Sequence, residues 1–155
     1  MKMKLTITDI NQEDLVNLLA TATFTSNWLT VSVPKTTRDQ LNILPDDCRE
    51  DVWAKALLAG FPVYFEDNWS EGETYGQACV AQVEFGGELT SYMVNLKRIQ
   101  AALESALDGS FEGDEDMKRW AAKCAHHLIS DPEQLDQPEA EALCQIIMFN
   151  EIIYG

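Results

Sequence analysis

The sequence predicts an α+β domain: an antiparallel-rich sheet of about four to five strands, helices packed on one face, and a helical C-terminal third. Three observations lead there. Two β-prone runs, 77–85 and 88–96, meet at Gly86-Gly87, a dipeptide that supplies the positive φ of a tight hairpin turn. Apolar stripes at helical spacing recur along the chain, each opened by a capping residue and most closed by Gly or Pro. Strand patterns dominate before Asn95 and helical stripes after it, the segregation that marks α+β rather than alternating α/β folds.

The elements follow in order. Lys4, Thr6 and Thr8 alternate with Leu5 and Ile7 as a short half-buried strand. Asn11 caps a helix whose stripe is Leu15, Val16, Leu18 and Leu19, running to about Thr23. Residues 28–33 alternate again and stop at Pro34, a second strand. Residues 34–46 are polar and read as loop. A helix over about 47–59 follows, with Asp46 or Asp47 as N-cap, Glu50 and Asp51 in its first turn, a stripe of Val52, Trp53, Ala56 and Leu57, and Gly60 at its end.

Pro62 places the strand 62–65 at a sheet edge or at a strand beginning. Residues 66–76 read as an acidic loop carrying Trp69 and Tyr75, and the hairpin comes next. Asn95 caps a helix with Leu96, Ile99, Ala102, Leu103 and Leu107 on its stripe, closed by Gly109. Another runs from about 114 to 129, with Met117, Trp120, Ala121, Cys124 and Leu128 on one side. Asp136, Pro138 and Glu139 open the last, which carries Ala142, Leu143, Ile146, Ile147 and Phe149.

With 155 residues and no internal repeat, linker or low-complexity run, 1–155 is expected to be a single domain. The hydrophobic fraction of 46% excludes an intrinsically disordered chain. Lys2 and Lys4 are not followed by an apolar run of signal-peptide length, and no window approaches a membrane span, so a cytoplasmic protein is expected. The cysteines, Cys48, Cys79, Cys124 and Cys144, form no C-x-x-C and read as reduced packing residues.

Charge is the unusual property. Against 11 Lys and Arg stand 26 Asp and Glu, a net −15, about twice the upper end of the roughly 2–8 that serves solubility in a small domain. Direct binding to nucleic acid or to an anionic membrane is disfavoured. Residues 1–45 carry four basic and four acidic residues, so the whole excess lies after Pro45. It concentrates at Glu66, Asp67, Glu71 and Glu73; at Asp108, Glu112, Asp114, Glu115 and Asp116; and at Asp131, Glu133, Asp136, Glu139 and Glu141.

Two readings stay open. Acidic residues solubilise, and they gather at helix N-termini because the macrodipole favours them there. Alternatively, carboxylates arrayed on a rigid fold imitate duplex DNA, which carries one charge per roughly 1.7 Å of axis, and occupy a basic groove built for it. The partner-binding candidates are Glu66, Asp67, Trp69, Glu71 and Glu73 on one loop and Asp108, Glu112, Asp114, Glu115 and Asp116 on another. Trp69 is the candidate exposed aromatic anchor among them, folding back over the sheet being the other reading.

Chemistry-bearing motifs are sparse. Residues 108–116 approach an EF-hand calcium loop, but the twelfth position, which needs a bidentate Glu, is Arg119. Cys124 and His127 share a helix face and Cys144 is a conceivable third ligand, yet no fourth is evident, so no metal or cofactor is expected. A Cys124–His127 nucleophile pair is the remaining enzymatic option, and Cys124 as a core residue the plainer one. The apolar tail Ile152-Ile153-Tyr154 must dock on the body or on another chain, and a homodimer partly sealed by these residues is expected.

The last twenty residues, with the acidic opening Asp136-Gln137-Pro138-Glu139-Ala140-Glu141 and an aliphatic run ending Ile152-Ile153-Tyr154-Gly155, resemble the small acidic cytosolic proteins of bacteriophages, plasmids and conjugative elements. The opening Lys4-Leu5-Thr6-Ile7-Thr8-Asp9-Ile10 with Asp14-Leu15-Val16-Asn17-Leu18-Leu19 is similar in kind. The resemblance covers about a fifth of the chain and transfers no residue role. It implies a genetic setting in which antirestriction and anti-CRISPR proteins are common, many of them acidic DNA mimics. The leading expectation is therefore a non-enzymatic inhibitor of a basic nucleic-acid-binding protein such as a defence nuclease. A small accessory protein-interaction module with incidental charge is the alternative, and a hydrolase or metal-dependent enzyme the third.

Overall fold

A computed structural model of the chain describes residues 10–24, 26, 28–44, 46–68, 82–85 and 89–153, with 82–85 and 89–90 as backbone only. The elements are α1 (Gln12–Thr23), β1 (Leu29–Ser32), α2 (Lys35–Gln40), α3 (Arg49–Leu58), β2 (Val63–Asp67), β3 (Gln82–Phe85), β4 (Leu89–Val94), α4 (Leu96–Asp108), α5 (Glu115–Ser130), a 3-10 turn (Pro132–Gln134) and α6 (Gln137–Phe149). The fold is α+β and mostly helical, and its sheet is antiparallel throughout, in the order β1-β2-β4-β3. The anticipated strand at 4–8 lies outside the described residues. Among the described residues no helix is long and apolar enough to cross a membrane.

Cross-strand register sets the buried face. Val31, Phe65 and Tyr92 lie opposite one another, as do Val63 and Val94, and all are buried with Leu29 on one side of the sheet. Against it pack α1 on β1, α3 on β2 and α6 on β4. α6 is the centre of the molecule. Every residue from Ala142 to Phe149 is buried, and it contacts α1, α4 and α5 as well as the sheet, as a helix apolar on all sides must.

The helix ends follow the capping chemistry anticipated at most positions. Asn11 and Asp14 form a reciprocal capping box on α1, Asn95 accepts the Arg98 N–H on α4, and Asp136 and Glu139 form a second box on α6. Gly109 ends α4 in the left-handed region at φ 76, and Asn150 ends α6 in the same conformation.

Other expectations are corrected. Residues 35–40, anticipated as loop, form α2; this short polar helix has Pro34 at its N-cap and buries Thr37 but has no apolar stripe for a periodicity argument to find. α3 starts at Arg49 with Cys48 at its N-cap and no side-chain cap, because the Asp47 carboxylate instead accepts the Leu44 N–H at 2.9 Å. The strand beginning after Pro62 is flanked by β1 and β4, so the proline marks its start and not an edge. Trp120, anticipated in the core, is 37% exposed: Met117, Ala121, Cys124 and Leu128 complete the inward stripe without it.

Candidate functional site

The connection from α4 to α5 is the acidic surface that the structure assembles most compactly. The chain leaves α4 at Gly109, whose N–H bonds Ser105 O at 2.9 Å, and the Asp108 carboxylate accepts the Ser110 N–H at 2.9 Å. Phe111 then turns inward and is buried. Glu112 N donates to Asn150 O at 2.9 Å, and Glu112 and Glu151 form a parallel bridge, so the connection is pinned to the segment after α6. Asp114 caps α5 through the Met117 N–H at 2.8 Å.

With its backbone held at these points, the corner presents Asp108, Glu112, Asp114, Glu115 and Asp116 to solvent, with Glu151 half-buried alongside. Asp116 is paired with Arg119 on the next turn. A cleft of about 350 Å³ beside it is lined by Asp108, Glu115, Lys118 and Arg119 among others, so carboxylates and cations share its walls.

The calcium-loop comparison does not survive this geometry. Asp108 and Asp114 spend carboxylate oxygens on backbone N–H groups, and the place of the bidentate Glu is held by Arg119 within α5. Among the described residues no group of three or more His, Cys, Asp or Glu side chains is arranged to hold a metal ion.

The other acidic candidates separate. Glu66 is half-buried and Asp67 is 1% exposed, because both belong to β2 and not to a loop. Asp67 shares the buried face of the sheet with Tyr92, whose hydroxyl is pushed up to about 12 by burial and then by the Asp67 charge. Asp67 is thereby removed from any surface array. Trp69, Glu71 and Glu73 lie outside the described residues. Asp131, Glu133 and Asp136 are exposed at the far end of α5, which at 1.5 Å per residue is roughly 24 Å from the first corner. Between the two ends, Arg119, Lys123 and His126 follow at helical spacing on the exposed side of α5. Among the described residues the exposed acidic clusters are thus two patches, not one continuous face.

Cys124 and His127 do lie near one another, but through Glu139. His127 Nδ1 is 2.9 Å from Glu139 Oε2, and the charge of the same carboxylate acts on the Cys124 thiol. Burial, then the Glu139 and Asp136 charges, pushes that thiol up to about 12. A nucleophilic cysteine needs the opposite shift and access to substrate, whereas Cys124 is fully buried. Burial likewise pushes the Cys144 thiol up. The central role of Glu139 had a sequence signal, since Asp136-x-x-Glu139 is a capping-box spacing.

The tail docks on its own chain. Ile152 is 6% exposed within the core cluster, and the Ile153 N–H donates to the buried Gln145 Oε1 at 2.7 Å. Ile152 is therefore not free to seal a dimer, and Tyr154 lies outside the described residues. One apolar feature escaped the sequence reading. Phe24, just past α1, is 80% exposed and lines a groove of about 410 Å³ with Ala20, Thr21, Leu135, Asp136 and Gln137.

No protein-family model matches the chain, and comparisons with curated proteins and with solved structures likewise find no match.

Proposed function

We propose that the chain is a non-enzymatic acidic inhibitor of a nucleic-acid-binding protein, of the antirestriction or anti-CRISPR type, in which carboxylates take the place of backbone phosphates. The observation supporting this is the α4–α5 corner: five exposed carboxylates within nine residues, on a backbone tied to the segment after α6. A pre-organised cluster loses little freedom on binding, and fixed negative charges steer association with a basic groove. The proposed contact is confined to Asp108, Glu112, Asp114, Glu115 and Asp116, because Arg119 and Lys123 interrupt the charge along α5.

The immobilised chain is expected to retain a basic nucleic-acid-binding protein from a bacterial lysate at roughly 50 mM salt, and to release it at several-fold higher salt or on addition of duplex DNA. Asp108→Asn/Glu112→Gln/Glu115→Gln, which leaves the Asp114 cap in place, is expected to retain none. Retention that survives both the triple variant and the duplex would refute mimicry.

That same interruption of charge favours a second reading, an accessory module whose acidity serves solubility while it binds a partner through apolar contacts. Salt-insensitive capture of a partner is the result that would place it first.

A further inference from the structure

We propose that the groove between the C-terminal end of α1 and the N-terminal end of α6 docks a basic amphipathic segment of a partner protein. The volume of about 410 Å³ lies within the roughly 300–1,000 Å³ of binding clefts, and its apolar lining is Ala20, Phe24 and Leu135. Phe24, at 80%, is the most exposed large apolar side chain among the described residues. An aromatic ring beside a groove is the kind of side chain that carries binding energy once water is excluded from it.

The charge around the groove selects the occupant. Asp136 lines it, and Asp131 and Glu133, both exposed, sit on the turn that leads to Leu135. Among the described residues no Lys or Arg lines it. α1 ends here with no basic residue in its last turn, so its own side chains leave the negative end of its dipole uncompensated. An apolar side chain seated against Phe24 and Leu135, with Lys or Arg one helical turn to either side, would meet carboxylates on the Asp131–Asp136 rim. A second copy is the poorer occupant: two grooves face to face would oppose their own acidic rims, on chains of net charge −15 each. The groove and the α4–α5 corner lie at opposite ends of α5, so each stands or falls separately.

The probe is a fluorescein-labelled helical peptide of leucine and lysine, with leucines on one face, and a scrambled peptide of the same composition. Anisotropy with the full chain is expected to show tighter binding of the amphipathic peptide. Phe24→Ala, an exposed position, is expected to weaken it at least about tenfold. Asp131→Asn/Glu133→Gln/Asp136→Asn is expected to flatten the salt dependence; asparagine at 136 keeps an N-cap oxygen, and circular dichroism checks the fold. Asp108→Asn/Glu112→Gln/Glu115→Gln is expected to leave binding unchanged. Equal binding of the scrambled peptide, or unaltered binding by Phe24→Ala, would overturn the proposal. So would a dimer in light scattering that Phe24→Ala dissolves, because the groove would then belong to a second copy.

Discussion

His127 Nδ1 lies 2.9 Å from Glu139 Oε2, with the two side chains 16% and 6% exposed, and this contact ties α5 to the start of α6. The carboxylate also accepts the Asp136 N–H through Oε1 at 3.1 Å, while Glu139 N donates to Asp136 Oδ1 at 3.0 Å. One buried side chain therefore closes a helix cap and holds a neighbouring helix. Glu139→Ala strands the Asp136 N–H and His127 together, and urea denaturation should show a loss of about 2–4 kcal/mol. Glu139→Gln keeps an acceptor for the cap and should cost less, about 1 kcal/mol. Equal costs for the two variants would show that the carboxylate's acceptor role is unimportant.

Arg98 gives a second inter-helix tie. Its Nε donates to Ile147 O at 2.8 Å and its Nη2 to Ile146 O at 2.7 Å, from the first turn of α4 to the last turn of α6. α6 has no basic residue in its own last turn, so Arg98 supplies the cation that its C-terminus lacks. Arg98→Lys cannot reproduce a planar fork on two carbonyls. A loss of about 1–3 kcal/mol is expected for Arg98→Ala, only partly recovered by lysine, with faster amide exchange concentrated at Ile146 to Asn150. Full recovery by lysine would reduce the contact to simple charge.

Buried thiols give a pH signature. The ordinary value of Cys124, 9.0, is pushed up to about 12, first by burial and then by Glu139, and that of Tyr92 rises from 10.0 to about 12, by burial and then by Asp67. Above pH 9 the unfolded chain sheds a proton that the folded chain keeps, so the folded state binds more protons and loses stability as pH rises. The contribution of these two groups is expected to be level below about pH 9 and to decline from there to about pH 12. In a Cys79→Ser background, a thiol reagent at neutral pH should label Cys48, which is exposed, and reach Cys124 and Cys144 only on unfolding. Prompt labelling of all three would contradict the packing of α5 against α6.

Ile152 separates docking on the chain's own body from docking on a second copy. It is 6% exposed in the core cluster, and the neighbouring Ile153 N–H is held by Gln145 Oε1. Ile152→Ala should cost about 2–4 kcal/mol in urea while leaving the mass in light scattering unchanged. A fall in mass without loss of stability would return this residue to a subunit interface.

Most of the local structure was legible because its causes are local. Asn11, Asn95 and Asp136 act on N–H groups three residues away, and Gly60 and Gly109 reach positive φ without a Cβ, so spacing alone located those ends. The cap of α3 failed because Asp47 has a competing donor, the Leu44 N–H, that spacing does not rank. The candidate site was less legible. The corner at 108–116 was readable as a run of acids, but its attachment to Asn150 and Glu151 joins residues about forty apart in sequence. Asp67 was misplaced because an acidic residue at the end of an apolar run carries no mark of whether the strand stops before or after it.

Composition, periodicity and caps were sufficient for the α+β class, the starts of α1, α4, α5 and α6, and the crowding of negative charge after Pro45, since each depends on neighbours along the chain or on a count. Which carboxylates meet solvent, which one lies buried in the sheet and which becomes the centre of a hydrogen-bond cluster were settled by packing. A charge next to an apolar run can be buried only where a distant element brings a donor or covers it. For Glu139 the donors come from α5 and its own cap; for Ile152 the cover is the body of the same chain.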